Sequence, residues 1–212
     1  MDNYKSEDEL FKLKTSIRQK YLAQQIASEQ AEDALILKNL LNYFSKLKTT
    51  TTILTYVNMG NEFNSIKFIN ELYKIKPGLN VFAPRVTSSA SEGAQMEFYQ
   101  LDFINSEIAL ELLETSNYGI LEPSGSESKF DPKQSLDNVY VLMPGVVFDH
   151  YGNRIGHGAG YYDNYLRRLG PVATKIAPVR NNQKYRGELP TTSNDMKIDV
   201  IVDYKGIHYL GH

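Results

Sequence analysis

Residues 143–168 read MPGVVFDHYGNRIGHGAGYYDNYLRR, and the fold class follows from this stretch. An apolar strand over residues 140–143 stops at Pro144-Gly145. A glycine-punctuated loop follows, and a helix runs over residues 161–169 until Gly170 closes it. Strand, loop and helix in that order form the repeating unit of an α/β sheet. The alternation extends both ways. Upstream, TTTTILTYV over residues 49–57 has the β-branched and aromatic character of a buried strand. Ile66, Ile69, Leu72 and Tyr73 mark a helix stopped by Pro77-Gly78, and short strands are expected over residues 79–83, 95–101 and 118–121. Another helix is expected over residues 106–114, and strands over residues 175–177 and 198–202.

Two helices open the chain. Ser6 and Glu9 have capping-box spacing ahead of an apolar face made by Leu10, Leu13, Ile17 and Tyr21. Ala34, Leu37, Leu41 and Phe44 form the stripe of a second helix from about residue 28 to 44. Residues 124–138, with the run SGSESKFDPKQS, read as a loop or insertion. The expectation is a single α/β domain over residues 1–212. It is a mostly parallel sheet with helices on both faces, a Rossmann-like three-layer arrangement, carrying an N-terminal helical pair as an appendage.

Composition removes several classes of function. With 42% hydrophobic and 23% charged residues among 212, the chain has the make-up of a globular protein. Lys+Arg 23 against Asp+Glu 25, a net charge of −2, gives no bulk positive field for nucleic acid. The absence of cysteine excludes disulfides, thiolate nucleophiles and Cys-ligated zinc. No apolar run approaches the roughly 20 residues that cross a membrane. The opening MDNYKSEDEL is acidic and polar, unlike a leader, so a cytoplasmic protein with no nucleic-acid or membrane partner is expected.

The 154–163 loop holds the densest chemistry. Gly156, Gly158 and Gly160 alternate, which suits either a structural turn or close approach of a ligand. Glycines before a helix also aim free N–H groups and the positive dipole end outward, towards an anion. Arg154 can fork onto phosphate oxygens. Asp163, in the first helical turn, can ligate magnesium or simply oppose the dipole. Arg, three Gly, paired Tyr and Asp at one loop–helix junction favour an anion site. The pattern is neither a Walker A loop nor GxGxxG. Lys14 and Arg18, four apart, share a helix face and can grip a polyphosphate or lie solvated. Glu62 follows the strand ending at Val57, either facing a ligand such as an amino-pyrimidine ring or starting the next helix. Asp195 is a candidate second metal ligand, and Asp199 a structural acceptor. Of four histidines only His157 lies in this loop, and no GxSxG elbow exists.

These residues resemble the 5-formyltetrahydrofolate cyclo-ligases. Pro144-Gly145, Phe148-Asp149, Gly152, Arg154, Gly156, Gly158 and Gly160-Tyr161-Tyr162-Asp163 follow that family's signature. Lys14 and Arg18, Glu62, Pro84-Arg85, Leu121-Glu122-Pro123, Leu189-Pro190 and Asn194-Asp195 fall in order around it. The resemblance implies Mg²⁺-dependent use of ATP to convert 5-formyltetrahydrofolate to 5,10-methenyltetrahydrofolate, ADP and phosphate, by a monomer. Carried onto this chain, it assigns ATP to Lys14, Arg18, Arg154, Ile155, Gly156, His157, Gly158, Ala159, Gly160, Tyr161 and Tyr162. It assigns the folate to Val57, Glu62 and the part of the loop from His157 to Tyr161, and Mg²⁺ to Asp163 and Asp195. Arg154 is the candidate for stabilising the transferring phosphoryl group and Tyr161 for flanking the formyl centre. His157 and Ala159 depart from the family pattern, in which a basic or bulky residue and Gly or Lys are usual. These departures motivate one rival, a non-catalytic nucleotide- or folate-binding protein of the same fold. A second rival is a sugar-phosphate isomerase, which would need no ATP.

Overall fold

The computed structural model describes residues 6–24, 30–48, 51–116, 119–133 and 138–211. Seven strands form the main sheet: β1 (Thr52–Leu54), β2 (Asn80–Ser88), β3 (Gln95–Gln100), β4 (Val139–Leu142), β5 (Ala173–Pro178), β6 (Val200–Val202) and β7 (Ile207–Tyr209). Their spatial order is β7-β6-β5-β4-β1-β2-β3. The five inner strands pair in parallel, while β3 and β7 run antiparallel on the two edges. From β1 the chain moves outward to β2 on one side, then returns to place β4 on the other. That reversal opens a crevice beyond the carboxyl ends of β1 and β4, the usual ligand position in open α/β sheets.

Alternate strand residues supply two cores. On one face Ile53, Val81, Leu142, Ile176 and Val200 pack with α2 (Gln30–Ser45) and α3 (Ser65–Ile75). On the other, Leu54, Val141, Ala177 and Ile201 pack with α4 (Tyr161–Leu169) and with Met96 and Phe98 of β3. Helices therefore cover both faces, as expected. Residues such as Leu40, Phe44 and Phe68 are fully buried, each stabilising the fold by about 1.5–3 kcal/mol.

Local signals position the helices. The Ser6 hydroxyl accepts the Glu9 N–H at 3.2 Å and the Glu9 carboxylate accepts the Ser6 N–H at 2.8 Å, completing the capping box at the head of α1 (Glu7–Gln24). Asn64 caps α3 by accepting the Lys67 N–H at 2.8 Å. Gly170 ends α4, its N–H bonded to the Leu166 carbonyl.

The structure corrects several expectations. The first two helices are not a paired appendage. α2 belongs to the core with α3, whereas α1 buries Ile17 against Val147, Ile155 and Leu189 at the mouth of the crevice. The buried row of α2 is Ile36, Leu40 and Phe44, and Ala34 is exposed. Its anticipated start at residue 28 lies outside the described residues. Residues 106–114 are not one α-helix: only a single 3₁₀ turn, Leu110–Leu112, is helical there. Asn105 and Ser106 both take positive φ, +52° and +65°, and turn a hairpin between Phe103–Ile104 and Glu107–Ile108. The expected strand over 118–121 is reduced to Leu121–Glu122, paired with Glu114–Thr115, and Tyr118 lies outside the described residues. Edge strand β7 had no counterpart in the sequence reading.

Candidate active site

The crevice holds a cavity of about 560 Å³. Two loops wall it, one leaving β1 and one leaving β4, and α1 lies across its mouth. The β1 loop is braced internally. The Tyr56 hydroxyl donates to the Phe63 carbonyl at 3.2 Å, and the Ser65 hydroxyl donates to the Tyr56 carbonyl at 2.6 Å. Glu62 Oε2 accepts the Met59 N–H at 2.9 Å, and Oε1 lies 3.4 Å from His157 Nε2.

The β4 loop folds as a short hairpin, Val147–Phe148 against Arg154–Ile155. Its knot is the Asp149 carboxylate, 2% exposed. It accepts the N–H groups of Tyr151 and Asn153 and the Asn153 side-chain amide at 2.9 Å, and the Leu189 N–H at 2.7 Å. Arg154 emerges from this hairpin, and its Nη2 donates to Asp163 Oδ1 at 3.0 Å. The glycines that follow admit arginines. A Cβ on Gly156 would stand 2.9 Å from Arg154 Nη1. One on Gly158, at φ +106°, would stand 3.2 Å from Arg18 Cζ. α4 begins at Gly160, so its amino end opens on the cavity.

α1 contributes from across the mouth. Arg18 Nε donates to the Gly156 carbonyl at 2.7 Å, and the Lys14 ammonium bonds Asp195 Oδ2. That oxygen also accepts the Thr192 N–H at 2.6 Å and the Thr192 hydroxyl at 3.0 Å. Burial opposes ionisation of Asp195, but Lys14 and the Thr192 backbone outweigh it and hold the carboxyl below its usual range. Asp163 Oδ1 takes a second bond from the Met196 N–H at 3.0 Å, which ties it to the residue next to Asp195.

Every residue singled out in the sequence lines this cavity: Lys14, Arg18, Val57, Glu62, Arg154 to Asp163, and Asp195. Asp199 stays outside, accepting the Lys175 N–H at 2.7 Å. Sequence reasoning missed the far wall. Met59, Pro84, Val86, Met96 and Leu121 make it apolar, and Tyr56 and Glu122 add buried polar groups. Burial pushes the Glu122 carboxyl up, against the pull of the Val86 N–H. The Tyr162 hydroxyl and Arg154 Nε are shielded from solvent and have no protein partner, and burial raises the Tyr162 phenol well above its ordinary value. The sequence clues to this wall were Pro84 and Leu121-Glu122, quoted with the family motifs but given no role there, since its residues converge from separate strands and loops.

The donor set suits a divalent cation of the magnesium kind. The Asp163 and Asp195 carboxylates, both lining the cavity, offer hard oxygens, and the bonds just described fall on one oxygen of each. Among the described residues no group of three His, Cys, Asp or Glu forms a metal cluster, so further ligands would come from phosphate and water.

Such a crevice, charged at one end and apolar at the other, defines an α/β protein with a candidate ligand site. Comparison with known proteins narrows this. The chain belongs to the 5-formyltetrahydrofolate cyclo-ligase family, whose model matches residues 10–204, and is a ligase by that membership. It is 30% identical over 165 residues to the "Probable 5-formyltetrahydrofolate cyclo-ligase" of Schizosaccharomyces pombe, covering 73% of this chain and 76% of that one. With the 5-formyltetrahydrofolate cyclo-ligase of Mus musculus it shares 25% over 179 residues, 83% and 84% of the two chains. The solved 5,10-methenyltetrahydrofolate synthetase of Aquifex aeolicus superposes with a TM-score of 0.70 at 25% identity, covering 94% of each chain. That of Mycoplasma pneumoniae gives 0.67 at 23% identity, a likeness of fold, over 90% and 98%. No helix among the described residues is long and apolar enough to cross a membrane.

Proposed function

We propose that this protein couples ATP hydrolysis to the closure of 5-formyltetrahydrofolate into 5,10-methenyltetrahydrofolate. The observation that carries this reading is the single cavity with a cationic, glycine-lined end and an apolar, carboxylate-bearing end. The chemistry needs both at once, because a formyl oxygen bound as in an amide is a poor leaving group. It attacks the γ-phosphorus and the bond to ADP breaks, which turns it into a phosphate ester. N10 then attacks the activated carbon, loses its proton, and the C–O bond breaks to release phosphate.

The protein's part is positioning and charge neutralisation. Lys14 and Arg18 would hold ATP phosphates from α1, and backbone N–H groups of residues 156–162 would hold them from the loop. Arg154 would meet the charge of the transferring group. Asp163 and Asp195 would hold Mg²⁺, whose charge offsets that of the phosphates. Val57 and the apolar wall would sandwich the pterin while Glu62 accepts its N–H groups.

Near-ultraviolet absorbance of the methenyl product, with and without ATP, tests the proposal. Product formed only with ATP is expected, and ATP-independent turnover or none at all refutes it. Glu62→Gln is expected to weaken folate binding by roughly 10-fold, the scale of one charge-assisted hydrogen bond. ATP affinity should stay within about twofold, and calorimetric titration of both ligands separates the effects.

A further inference from the structure

At the charged end of the cavity two cations are each paired with a carboxylate. Lys14, assigned above to phosphate, is bonded to Asp195, assigned to the cation, and Arg154 stands in the same relation to Asp163. Both pairs are largely withdrawn from solvent, with side chains 15% and 22% exposed in the first and 5% and 21% in the second. Arg18 differs, since its bonds go to the Gly156 carbonyl and the Thr15 hydroxyl rather than to a carboxylate.

We propose that the Lys14–Asp195 pair masks the site, so that it accepts a divalent cation and a nucleotide polyphosphate only as one complex and rejects either alone. This rests on the nucleotide reading given above.

The argument is electrostatic. A divalent cation approaching Asp195 alone meets an ammonium on the same carboxylate, and in a partly buried site that repulsion is several times thermal energy. Driving Lys14 off would leave its charge with no counter-ion in a place where desolvation is costly. A metal-free polyphosphate meets the mirror problem. It gains Lys14 only by stripping Asp195, whose carboxylate then faces four phosphate-borne charges. When both arrive together, Lys14 turns to phosphate as Asp195 turns to the cation, and no charge is left without a partner. Thr192, with two bonds to Asp195 Oδ2, keeps the carboxylate in place through the exchange. Arg18, paired with no carboxylate among the described residues, is the cation that meets the incoming phosphates first.

The prediction has opposite signs for the two halves of the complex. Lys14→Met should raise affinity for Mn²⁺ alone by at least about 10-fold, read by paramagnetic resonance in the absence of nucleotide. It should lower affinity for ATP in excess chelator. Asp195→Asn, nearly isosteric and able to keep the Thr192 bonds, should raise metal-free ATP affinity severalfold without gaining affinity for Mn²⁺ alone. Circular dichroism confirms that each variant is folded, and Lys14→Gln replaces Lys14→Met if the latter is not. Unchanged or reduced Mn²⁺ affinity in the lysine variant overturns the proposal, as does unchanged or reduced metal-free ATP affinity in Asp195→Asn. Wild-type turnover separates this from the activity itself. Methenyl product without crossed affinities sinks the masking alone, whereas crossed affinities without product sink the folate reading and leave the masking standing.

Discussion

Arg154→Ala is expected to lower kcat by about 10³-fold, the low end of what an arginine at a transferring phosphoryl group contributes. The side chain is held for that task. Its Nη2 is tied to Asp163, its Nη1 rests where only a glycine at 156 leaves room, and its Nε has no protein partner. A buried donor left in this state weakens the free protein, which makes sense if the group acts on a ligand. Arg154→Lys should recover no more than about a tenth of the loss, because a point charge replaces neither the planar fork nor its second donor. The absorbance assay measures both variants. An alanine variant that keeps more than a tenth of wild-type kcat would move the phosphoryl group away from Arg154.

The second large effect concerns stability. Asp149→Ala removes the acceptor for three backbone N–H groups and one side-chain amide, all in a place 2% exposed. Unsatisfied buried donors cost about 1–3 kcal/mol each before relaxation. A net loss of about 3–5 kcal/mol is reasonable for breaking a buried polar network. For a chain this long that lowers Tm by roughly 10 °C or more, which differential scanning calorimetry reads directly. Asp149→Asn keeps the shape but trades one acceptor oxygen for a donor facing other donors, so it should lose a smaller part. A drop of under about 2 °C in the alanine variant would mean that the hairpin stands without its knot.

The features legible in the sequence were those whose causes are local. The capping box at Ser6, the Gly170 stop and the glycine loop need only a few neighbouring residues to be recognised. α2 was placed, and Leu37, Leu41 and Phe44 of the expected stripe do meet the core, but ALILKNLLNYF offers apolar residues all round and only packing against α3 and the sheet centres the buried row on Ile36, Leu40 and Phe44. The stretch ALELLE has leucines at helical spacing, yet after the Asn105-Ser106 turn it forms only one 3₁₀ turn, Leu110–Leu112, rather than an α-helix from residue 106. Strand β7 is three residues long with two of them exposed, too short to alternate visibly. At the site, charged and glycine residues could be named one by one. The apolar wall could not, since Met59, Pro84 and Met96 become neighbours only through sheet order.

The contact between Lys14 and Asp195 spans 181 positions of sequence. α1 is made early, yet its partners Val147, Ile155, Leu189 and Asp195 all come after residue 146. A chain emerging from a ribosome therefore holds its first helix without a docking place until most of the sheet exists. During that interval the exposed Phe11 and Ile17 have only solvent or another chain to meet. The acidic first turn of α1, Glu7, Asp8 and Glu9, keeps that waiting helix charged. The cleft thus waits on residues far downstream of α1, although the helix across its mouth is synthesised before any of them.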